Sequence, residues 1–373
     1  MPATSFFDKF QRITASTQYM PEIDGLRFIA LFWVVTFMHS VHFLDAKFYN
    51  DQLVPEGFWK TVIMEGAHGM YLFFIISGFI LSLPFAKTYF KGEPKVPWKR
   101  YLTRRLTRIE PPYIIALLIF FAAHLFIIKR YTLAQLLPSL GASLIYCHGF
   151  IFDRHSIILP VAWSLEVEVQ FYLLAPIFCT LFKIKKAWLR RGIIFGVIIA
   201  GLFYMDYFVG MKGHRPYPQV FLYIHYFFSG LLLADLFVHR ETKPAASSVG
   251  LLLGILALVG SFILFTHYRL PGIFIKLLLL FYFFYQALFN TYLKRMLSVK
   301  VITILGGMCY SAYLFHFGVL SAFGTIAKSV TDVSNPYMAP VFLLIVTGLI
   351  LLCTSIFFFF VERPFMQWKV KVH

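Results

Sequence analysis

The chain has 373 residues, of which 59% are hydrophobic and 14% are charged, and its mean hydropathy is +0.74. This composition is too apolar for an ordinary soluble domain and predicts a polytopic membrane protein. The net charge of +17 at pH 7 does not indicate nucleic-acid binding, because the basic residues form short clusters between apolar runs, which is typical of topology determinants.

Ten apolar runs are long enough to cross a bilayer, which takes about 20 residues. They predict an all-α polytopic bundle of about ten transmembrane helices, in one domain over residues 1–373. The runs lie near residues 22–45, 67–86, 111–128, 162–183, 192–210, 217–238, 247–266, 270–290, 301–325 and 338–361. We place segment 1–21 and tail 362–373 in the cytoplasm, because lysine and arginine are then concentrated on the inner side. Residues 1–18 show no cleavage site of a removable signal peptide.

The first apolar run contains two ionisable residues, Arg27 and His39. Ionisable side chains inside a membrane are rare and are functional candidates by default. An alternative of about equal weight is structural: Arg27 extends to the headgroups and His39 bonds a neighbouring helix. The pattern alone leaves both explanations open.

The densest basic cluster precedes the third apolar run, with eight lysines and arginines between positions 87 and 108. Attraction to anionic lipids explains the lysines. Arg104 and Arg108 are four residues apart, and Arg105 and Arg108 are three apart, so in a helix they form one guanidinium face suited to phosphate. We expect Pro111 and Pro112 to begin the next span.

Segment 129–160 is the longest one that we place outside the membrane. Its polar side chains include His148, Asp153, Arg154 and His155. The segment either binds an acceptor substrate outside the membrane or simply connects two spans.

The fourth span begins with Trp163, a natural interface anchor, and carries two carboxylates, Glu166 and Glu168. A two-residue separation places these carboxylates about 200° apart on a helix, so they cannot share a face. Ser164 and Tyr172 share a face with Glu168, which favours Glu168 as the inward group. A structural ion pair is the alternative for Glu168.

His316 lies in the ninth apolar run, three residues after Tyr313. At 1.5 Å per residue, His39 and Glu168 should each lie roughly 10 Å from the outer surface, with His316 slightly deeper. Three titratable groups are therefore expected in one layer. His39 then lies roughly 25 Å from the inner surface, which suits a long, thin ligand with a charged head outside the membrane and its other end inside.

Six segments together resemble the membrane acyltransferases of family 3, which transfer acyl groups to sugars and related acceptors. They are EIDGLRFIALFWVVTFMH (22–39), LFFIISGFILS (72–82), RRLTRIEPPY (104–113), WSLEVEVQFYLLAP (163–176), YSAYLFHF (310–317) and VERPF (361–365). The order and spacing of these segments are specific together, and the resemblance covers nearly the whole chain. It implies that the donor is cytoplasmic acyl-coenzyme A and that the acceptor is reached from the outer side.

The resemblance also implies roles for individual residues. Arg27 and His39 match the essential arginine and histidine of the first span. Arg105 and Arg108 match the Arg-x-x-Arg motif, and Glu168 matches the glutamate after Trp-Ser-Leu.

The spacing in the first span departs from the family pattern, because eleven residues separate Arg27 from His39 and the usual number is ten. Twelve α-helical steps leave two side chains ~120° apart, whereas eleven steps leave them within ~20°. Three explanations are open: a π-bulge absorbs the additional residue, Arg27 has a different partner, or the span starts irregularly.

The expected function is transfer of an acyl group from acyl-coenzyme A to a hydroxyl of a cell-surface or periplasmic carbohydrate. The acyl group is expected to be acetyl. Arg104, Arg105 and Arg108 would hold the donor phosphates. His39 would act as general base on the acceptor or as a covalent acyl carrier, with Glu168 or His316 orienting it or serving the second proton transfer. Arg27 is also expected among the catalytic groups. The residues expected to line the site are Trp163, Ser164, Tyr172 and Tyr313.

Two other classes of function are open: a proton-coupled exporter, which uses buried histidine and glutamate as a relay, and a lipid-anchored scaffold. An exporter needs no arginine face and commonly shows repeat symmetry, which this sequence lacks. The four cysteines are scattered, so we expect no metal and no bound cofactor.

The expected partners are acyl-coenzyme A, a carbohydrate acceptor and membrane lipids, and the expected location is a bacterial inner membrane. Surface polysaccharide, lipopolysaccharide sugar, periplasmic glucan and a small glycoside are all open as acceptors. Because no soluble domain follows the last run, we expect the chain to act alone or to pass its acyl group to a separate protein.

Overall fold

The computed structural model describes residues 10, 12, 19–210, 219–240, 244–263, 270–330, 333 and 335–366. Within these ranges all named secondary-structure elements are helices, and β-pairing is limited to an isolated bridge between Ala245 and Asn290. The predicted all-α membrane bundle is confirmed.

The main helices are numbered α1 to α16 in chain order. They are α1 (Pro21–Phe32), α2 (His42–Phe48), α3 (Phe58–Glu65), α4 (Gly69–Lys91), α5 (Trp98–Ala122), α6 (Leu133–Leu144), α7 (His148–Phe152), α8 (Trp163–Phe178), α9 (Ala187–Gly210), α10 (Ile224–Val238), α11 (Ser248–Ile263), α12 (Leu270–Phe289), α13 (Thr291–Leu297), α14 (Lys300–Gly307), α15 (Cys309–Val330) and α16 (Ala339–Phe357). Stretches of π-helix follow α1, α5 and α16 directly, at Trp33–Val41, Ala123–Ile128 and Phe358–Glu362.

Nine helical segments in the described part of the chain are long and apolar enough to cross a membrane, and each overlaps a predicted run. They are Pro21–Phe48, Phe58–Lys91, Trp98–Ile128, Pro160–Lys183, Ala187–Phe208, Val220–Val238, Leu270–Phe289, Cys309–Val330 and Pro336–Met366. The run near 247–266 corresponds to α11, which has 16 residues, and residues 264–269 lie outside the described ranges.

The first span contains the irregularity that its residue spacing suggested. Trp33–Val41 forms a π-helix between α1 and α2, and Ser40 Oγ donates a hydrogen bond to Val35 O at 2.7 Å inside the widened turn. A π-turn holds one more residue than an α-turn. One absorbed residue gives the separation of Arg27 and His39 the phase of eleven α-steps, within ~20°, so the two positions return to one face.

The third span begins earlier than the sequence predicts. Pro111 and Pro112 do not start it, because α5 begins at Trp98 and both prolines lie inside the helix. The prolines remove the N–H groups that would bond the carbonyls of Thr107 and Arg108, and these two residues are only partly buried. The helix nevertheless continues through both prolines.

The chain divides into two compact units. The first comprises Met1–Met70, Arg108–Ala122 and Leu297–His373, and the second comprises Tyr71–Thr107 and Ala123–Met296. In the first unit, α1 lies directly against the chain around α14. A Cβ at Gly306 would lie 1.8 Å from Asp24 O, and one at Gly25 would lie 2.2 Å from Leu297 O. Any larger residue would push these backbones apart.

In the second unit, α4 lies directly against α10. A Cβ at Gly78 would lie 2.1 Å from Phe227 O, and one at Gly230 would lie 2.2 Å from Ile75 O. The rings of Phe171 and Phe227 stack with centroids 4.0 Å apart. The glycines at these two positions therefore let α4 and α10 approach each other closely.

Candidate active site

Two histidines contact each other within the first unit. His39 lies in the π-helix of the first span, and His316 lies in α15. The Nε2 atom of His316 is 2.8 Å from Nδ1 of His39, a hydrogen-bonding distance. His316 is fully buried, whereas His39 is only partly buried. The pair therefore has one member that is enclosed by protein, His316, and one that is partly exposed, His39.

The surroundings of His316 determine which nitrogen atoms of the pair carry protons. His316 Nδ1 is 3.1 Å from Ala312 O and 2.9 Å from Tyr313 O. Because a carbonyl oxygen only accepts, Nδ1 carries the proton, and Nε2 of the neutral ring is an acceptor. His39 Nδ1 therefore donates to His316. In the neutral state this leaves the basic lone pair of His39 on Nε2, away from His316.

Arg27 has a buried carboxylate as its partner. Its Nη1 atom is 2.6 Å from Oδ1 of Asp24, three residues earlier on α1. The same oxygen atom lies 3.0 Å from Nη1 of Arg12, and Tyr19 donates its hydroxyl proton to Oδ2 at 3.0 Å. Arg27 is twelve residues before His39, about 18 Å along a helix at 1.5 Å per residue. The guanidinium is thus fixed well below the histidine pair, on the side where the span begins.

The closing motif of the sequence packs against the segment that carries His316. Ser311 Oγ donates to Oε2 of Glu362 at 2.5 Å, and both side chains are buried. Arg12 lies within electrostatic range of Glu362. The VERPF and YSAYLFHF segments are therefore tied to each other below the histidine pair.

Glu168 is the centre of a polar cluster in the second unit. Ser77 Oγ donates to its Oε1 at 2.5 Å, and the hydroxyl of Tyr172 also bonds the carboxylate. Arg105 lies within electrostatic range of Glu168, and its guanidinium packs 5.9 Å from the ring centre of Tyr101. Glu168 therefore has both hydroxyl donors and a cation as neighbours.

The two carboxylates of the fourth span have different surroundings. Glu168 is partly accessible, whereas Glu166 is 1% exposed and accepts a hydrogen bond from the backbone N–H of Gly149 at 3.1 Å. The geometry thus gives Glu166 a structural partner in α7, and leaves Glu168 as the carboxylate beside Arg105.

The remaining predicted residues have varied surroundings. Arg104, Arg105 and Arg108 all lie on α5; Arg104 is exposed and the other two are partly buried. Trp163 packs near the ring of Tyr223, with centroids 5.8 Å apart. Tyr313 contributes its carbonyl oxygen to His316, and Ser164 is buried. His39 belongs to the first unit and Glu168 to the second, and their predicted convergence stays a prediction.

Three polar partners were not singled out from the sequence. Ser77 lies 91 residues before Glu168, and only its place in an apolar motif marks it. Asp24 precedes Arg27 by three residues, a helical spacing that predicts the ion pair. Buried Asp235 pairs with Arg190 and Arg191, more than forty residues away, and no local pattern indicates those pairs.

Comparison with protein families gives a match over most of the chain. The model described as an acyltransferase domain, of the acyltransferase 3 type, matches residues 20–359. No solved structure matches.

Several bacterial proteins are similar to this chain. One is a Staphylococcus aureus (strain MSSA476) protein provisionally named as an O-acetyltransferase, 26% identical over 346 residues, which are 86% of this chain and 53% of the relative. The peptidoglycan O-acetyltransferase OatA of Listeria monocytogenes is 23% identical over 376 residues, 94% of this chain and 56% of the relative. The O-acetyltransferase OatA of Staphylococcus aureus (strain NCTC 8325) is 23% identical over 330 residues, which are 82% of this chain and 51% of the relative. The chain spans about half the length of these relatives.

Proposed function

Since the chain belongs to the acyltransferase 3 family, we propose that this membrane enzyme moves an acetyl group from cytoplasmic acetyl-coenzyme A to a carbohydrate hydroxyl on the outer side. The observation that carries the proposal is the histidine pair, in which the accessible ring has its basic nitrogen free of His316. The similarity to O-acetyltransferases, one of them named for peptidoglycan, supports a glycan acceptor. Family membership favours acyl transfer over proton-coupled export.

In the proposed reaction His39 is the general base. Its Nε2 takes the proton of the acceptor hydroxyl while the oxygen attacks the thioester carbon. The tetrahedral intermediate then expels the coenzyme A thiolate, which takes the same proton from His39. The acetyl group has formed a C–O bond and lost its C–S bond, and His39 returns to its starting state. A variant uses the same Nε2 as a nucleophile that carries the acetyl group before the acceptor arrives.

His316 has the role of an orienting residue in this scheme. It accepts a hydrogen bond from His39 Nδ1 at 2.8 Å, and that bond strengthens when His39 becomes imidazolium, because charged donors form stronger hydrogen bonds. The carbonyls of Ala312 and Tyr313 hold the His316 ring in the matching tautomer. This arrangement resembles the triad logic in which a third group orients the base, with backbone oxygen atoms in the place of a carboxylate.

Because His316 already occupies His39 Nδ1, we assign Glu168 a different task. Its carboxylate is bonded by Ser77 and Tyr172 and lies within range of Arg105. We propose that Glu168 holds the Arg105 guanidinium in position for a phosphate of the donor, since a guanidinium fork binds a phosphate group with two parallel bonds. Arg108 and the exposed Arg104 extend the same helix face.

Arg27 fits the donor side better than the reaction centre. It lies about 18 Å below His39 along the helix axis, and Asp24 fixes its orientation. The long arm of coenzyme A would pass a guanidinium at this depth on its way to His39. We therefore propose that Arg27 contacts the donor. In this proposal the enzyme lies in a bacterial inner membrane, and both chain termini and the coenzyme A head are on the cytoplasmic side.

The proposed function is tested with the full chain in proteoliposomes, given acetyl-coenzyme A labelled in the acetyl group and peptidoglycan fragments as the probe acceptor. Release of coenzyme A and appearance of O-acetylated glycan are measured together. The parent should produce both, and the His39→Gln variant should produce neither while binding acetyl-coenzyme A normally. Coenzyme A release without glycan acetylation would mean that peptidoglycan is not the acceptor, whereas no donor turnover by the parent would contradict the donor assignment.

A further inference from the structure

The helix α6 exposes a face of leucines, and its buried face includes two serines. Leu133, Leu137 and Leu144 are 47%, 51% and 38% exposed, and their spacing of four and seven residues places them on one face. The opposite face carries Ser139 and Ser143, which are 3% and 0% exposed. A helix at a water-exposed surface has the reverse polarity, with polar residues outward and apolar residues inward.

A connected set of hydrogen bonds holds the serine face against the protein. Ser139 Oγ lies 2.9 Å from Nε2 of His148, and the Nδ1 of that ring lies 3.0 Å from Arg154 O. Burial lowers the pKa of His148, so the ring is neutral at pH 7. It donates to the carbonyl and accepts from the serine. Ser143 bonds Ser156 at 3.0 Å. The serine face of α6 therefore packs against the protein, and the leucine face points outward.

The outward leucines of α6 follow closely after an exposed apolar stretch of the chain. The third span ends with Phe126, Ile127 and Ile128, which are 68%, 80% and 50% exposed. The exposed cations Lys129 and Arg130 follow immediately, where such residues meet lipid headgroups. Three residues later α6 begins, and its sequence LAQLLPSLGASL contains no charged residue.

We propose that α6 lies within the lipid leaflet into which the third span emerges, roughly parallel to the membrane surface, with its leucine face among the acyl chains. A 12-residue helix is about 18 Å long and cannot span the hydrocarbon core of about 30 Å. An interfacial helix buries its apolar face at the boundary of headgroups and acyl chains. Segment 129–160 is then a membrane-bound element, with the exposed residues Asp153, Arg154 and His155 as its water-facing tip.

Spin labels on single cysteines distinguish lipid, water and protein around α6. The full chain is reconstituted in phosphatidylethanolamine and phosphatidylglycerol vesicles after Cys147, Cys309 and Cys353 are replaced by alanine; buried Cys179 is retained. Labels are placed at Leu137→Cys or Leu144→Cys, with Asp153→Cys as the water control. Collisions with oxygen, which concentrates in lipid, and with a water-soluble nickel chelate are measured.

The proposal predicts frequent oxygen collisions and few nickel collisions at both leucine positions. The oxygen-to-nickel ratio there should exceed that at Asp153→Cys by at least about tenfold, the ratio that corresponds to 1.4 kcal/mol. Nickel collisions as frequent as at Asp153→Cys would show that α6 faces water and would overturn the proposal. Low collision rates with both reagents would also overturn it, because the leucine face would then be covered by protein, such as a second copy of the chain.

Discussion

Replacing His316 by phenylalanine tests how the histidine pair works. The substitution keeps a ring in the buried site but removes the acceptor that lies 2.8 Å from His39 Nδ1. A hydrogen bond to a charged group contributes about 1.5–3 kcal/mol, and in the proposed reaction His39 is charged only after it has taken the acceptor proton. At 1.36 kcal/mol per factor of ten, the rate constant for acetyl transfer should fall about 10- to 150-fold.

A matched variant separates this effect from a packing defect. In His316→Gln the side-chain oxygen can occupy the place of Nε2 and accept from His39, so most of the transfer rate should return. The assay is the initial rate of acetyl transfer in proteoliposomes, measured with the KM for acetyl-coenzyme A, which neither variant should change. A phenylalanine variant that transfers at the parent rate would refute the orienting role of His316. So would a glutamine variant as slow as the phenylalanine variant, because acceptance of the hydrogen bond would then not matter.

Three further predictions concern the donor site, the Glu168 cluster and the topology. Arg105→Ala and Arg108→Ala should each weaken acetyl-coenzyme A binding in a direct affinity measurement, and lysine at either position should restore it poorly, because an ammonium lacks the guanidinium fork; normal binding by both alanine variants would remove the phosphate role. Ser77→Ala should raise the KM for acetyl-coenzyme A more than it lowers kcat, because Glu168 loses a hydrogen-bond donor and orients Arg105 less well. The control is Ser82→Ala, at a buried serine of the same helix, which should leave the KM unchanged. Equal effects of the two substitutions on the KM would argue against the role of the Glu168 cluster. A membrane-impermeant thiol reagent added outside should label Asp153→Cys and spare Lys95→Cys, and the opposite pattern would reverse the assigned orientation.

Hydropathy predicted the spans well because each apolar run must match the thickness of the bilayer. The start of the third span was predicted wrongly, since the sequence interpretation treated Pro111 and Pro112 as a helix boundary and α5 in fact begins at Trp98. A proline is tolerated inside a helix where other groups can bond the freed carbonyls. Local sequence does not reveal such partners.

The spacing of Arg27 and His39 shows how a local rule can predict an irregularity without choosing among its causes. The additional residue required a π-bulge, a different partner or an irregular start, and the structure contains both a π-helix at Trp33–Val41 and a pairing of Arg27 with Asp24. The ion pair was within reach of sequence reasoning, because its spacing is helical.

Contacts over long sequence separations are the part that the sequence could not supply. Ser77 meets Glu168 across 91 positions, and His316 meets His39 across 277. The depth estimate correctly suggested that the two histidines lie at similar depth. It could not predict the hydrogen bonds that fix their tautomers, since these depend on the carbonyls of α15.

The role of His39 as the base is tested most directly by the transfer rate of purified His39→Gln. Glutamine keeps some hydrogen bonding at this position but cannot accept the proton at pH 7. A general base contributes roughly 10²–10⁴-fold to a rate, so acetyl transfer should fall by at least that factor while the affinity for acetyl-coenzyme A stays at the parent value. Transfer by His39→Gln at more than about a tenth of the parent rate would contradict the assignment of His39 as the base.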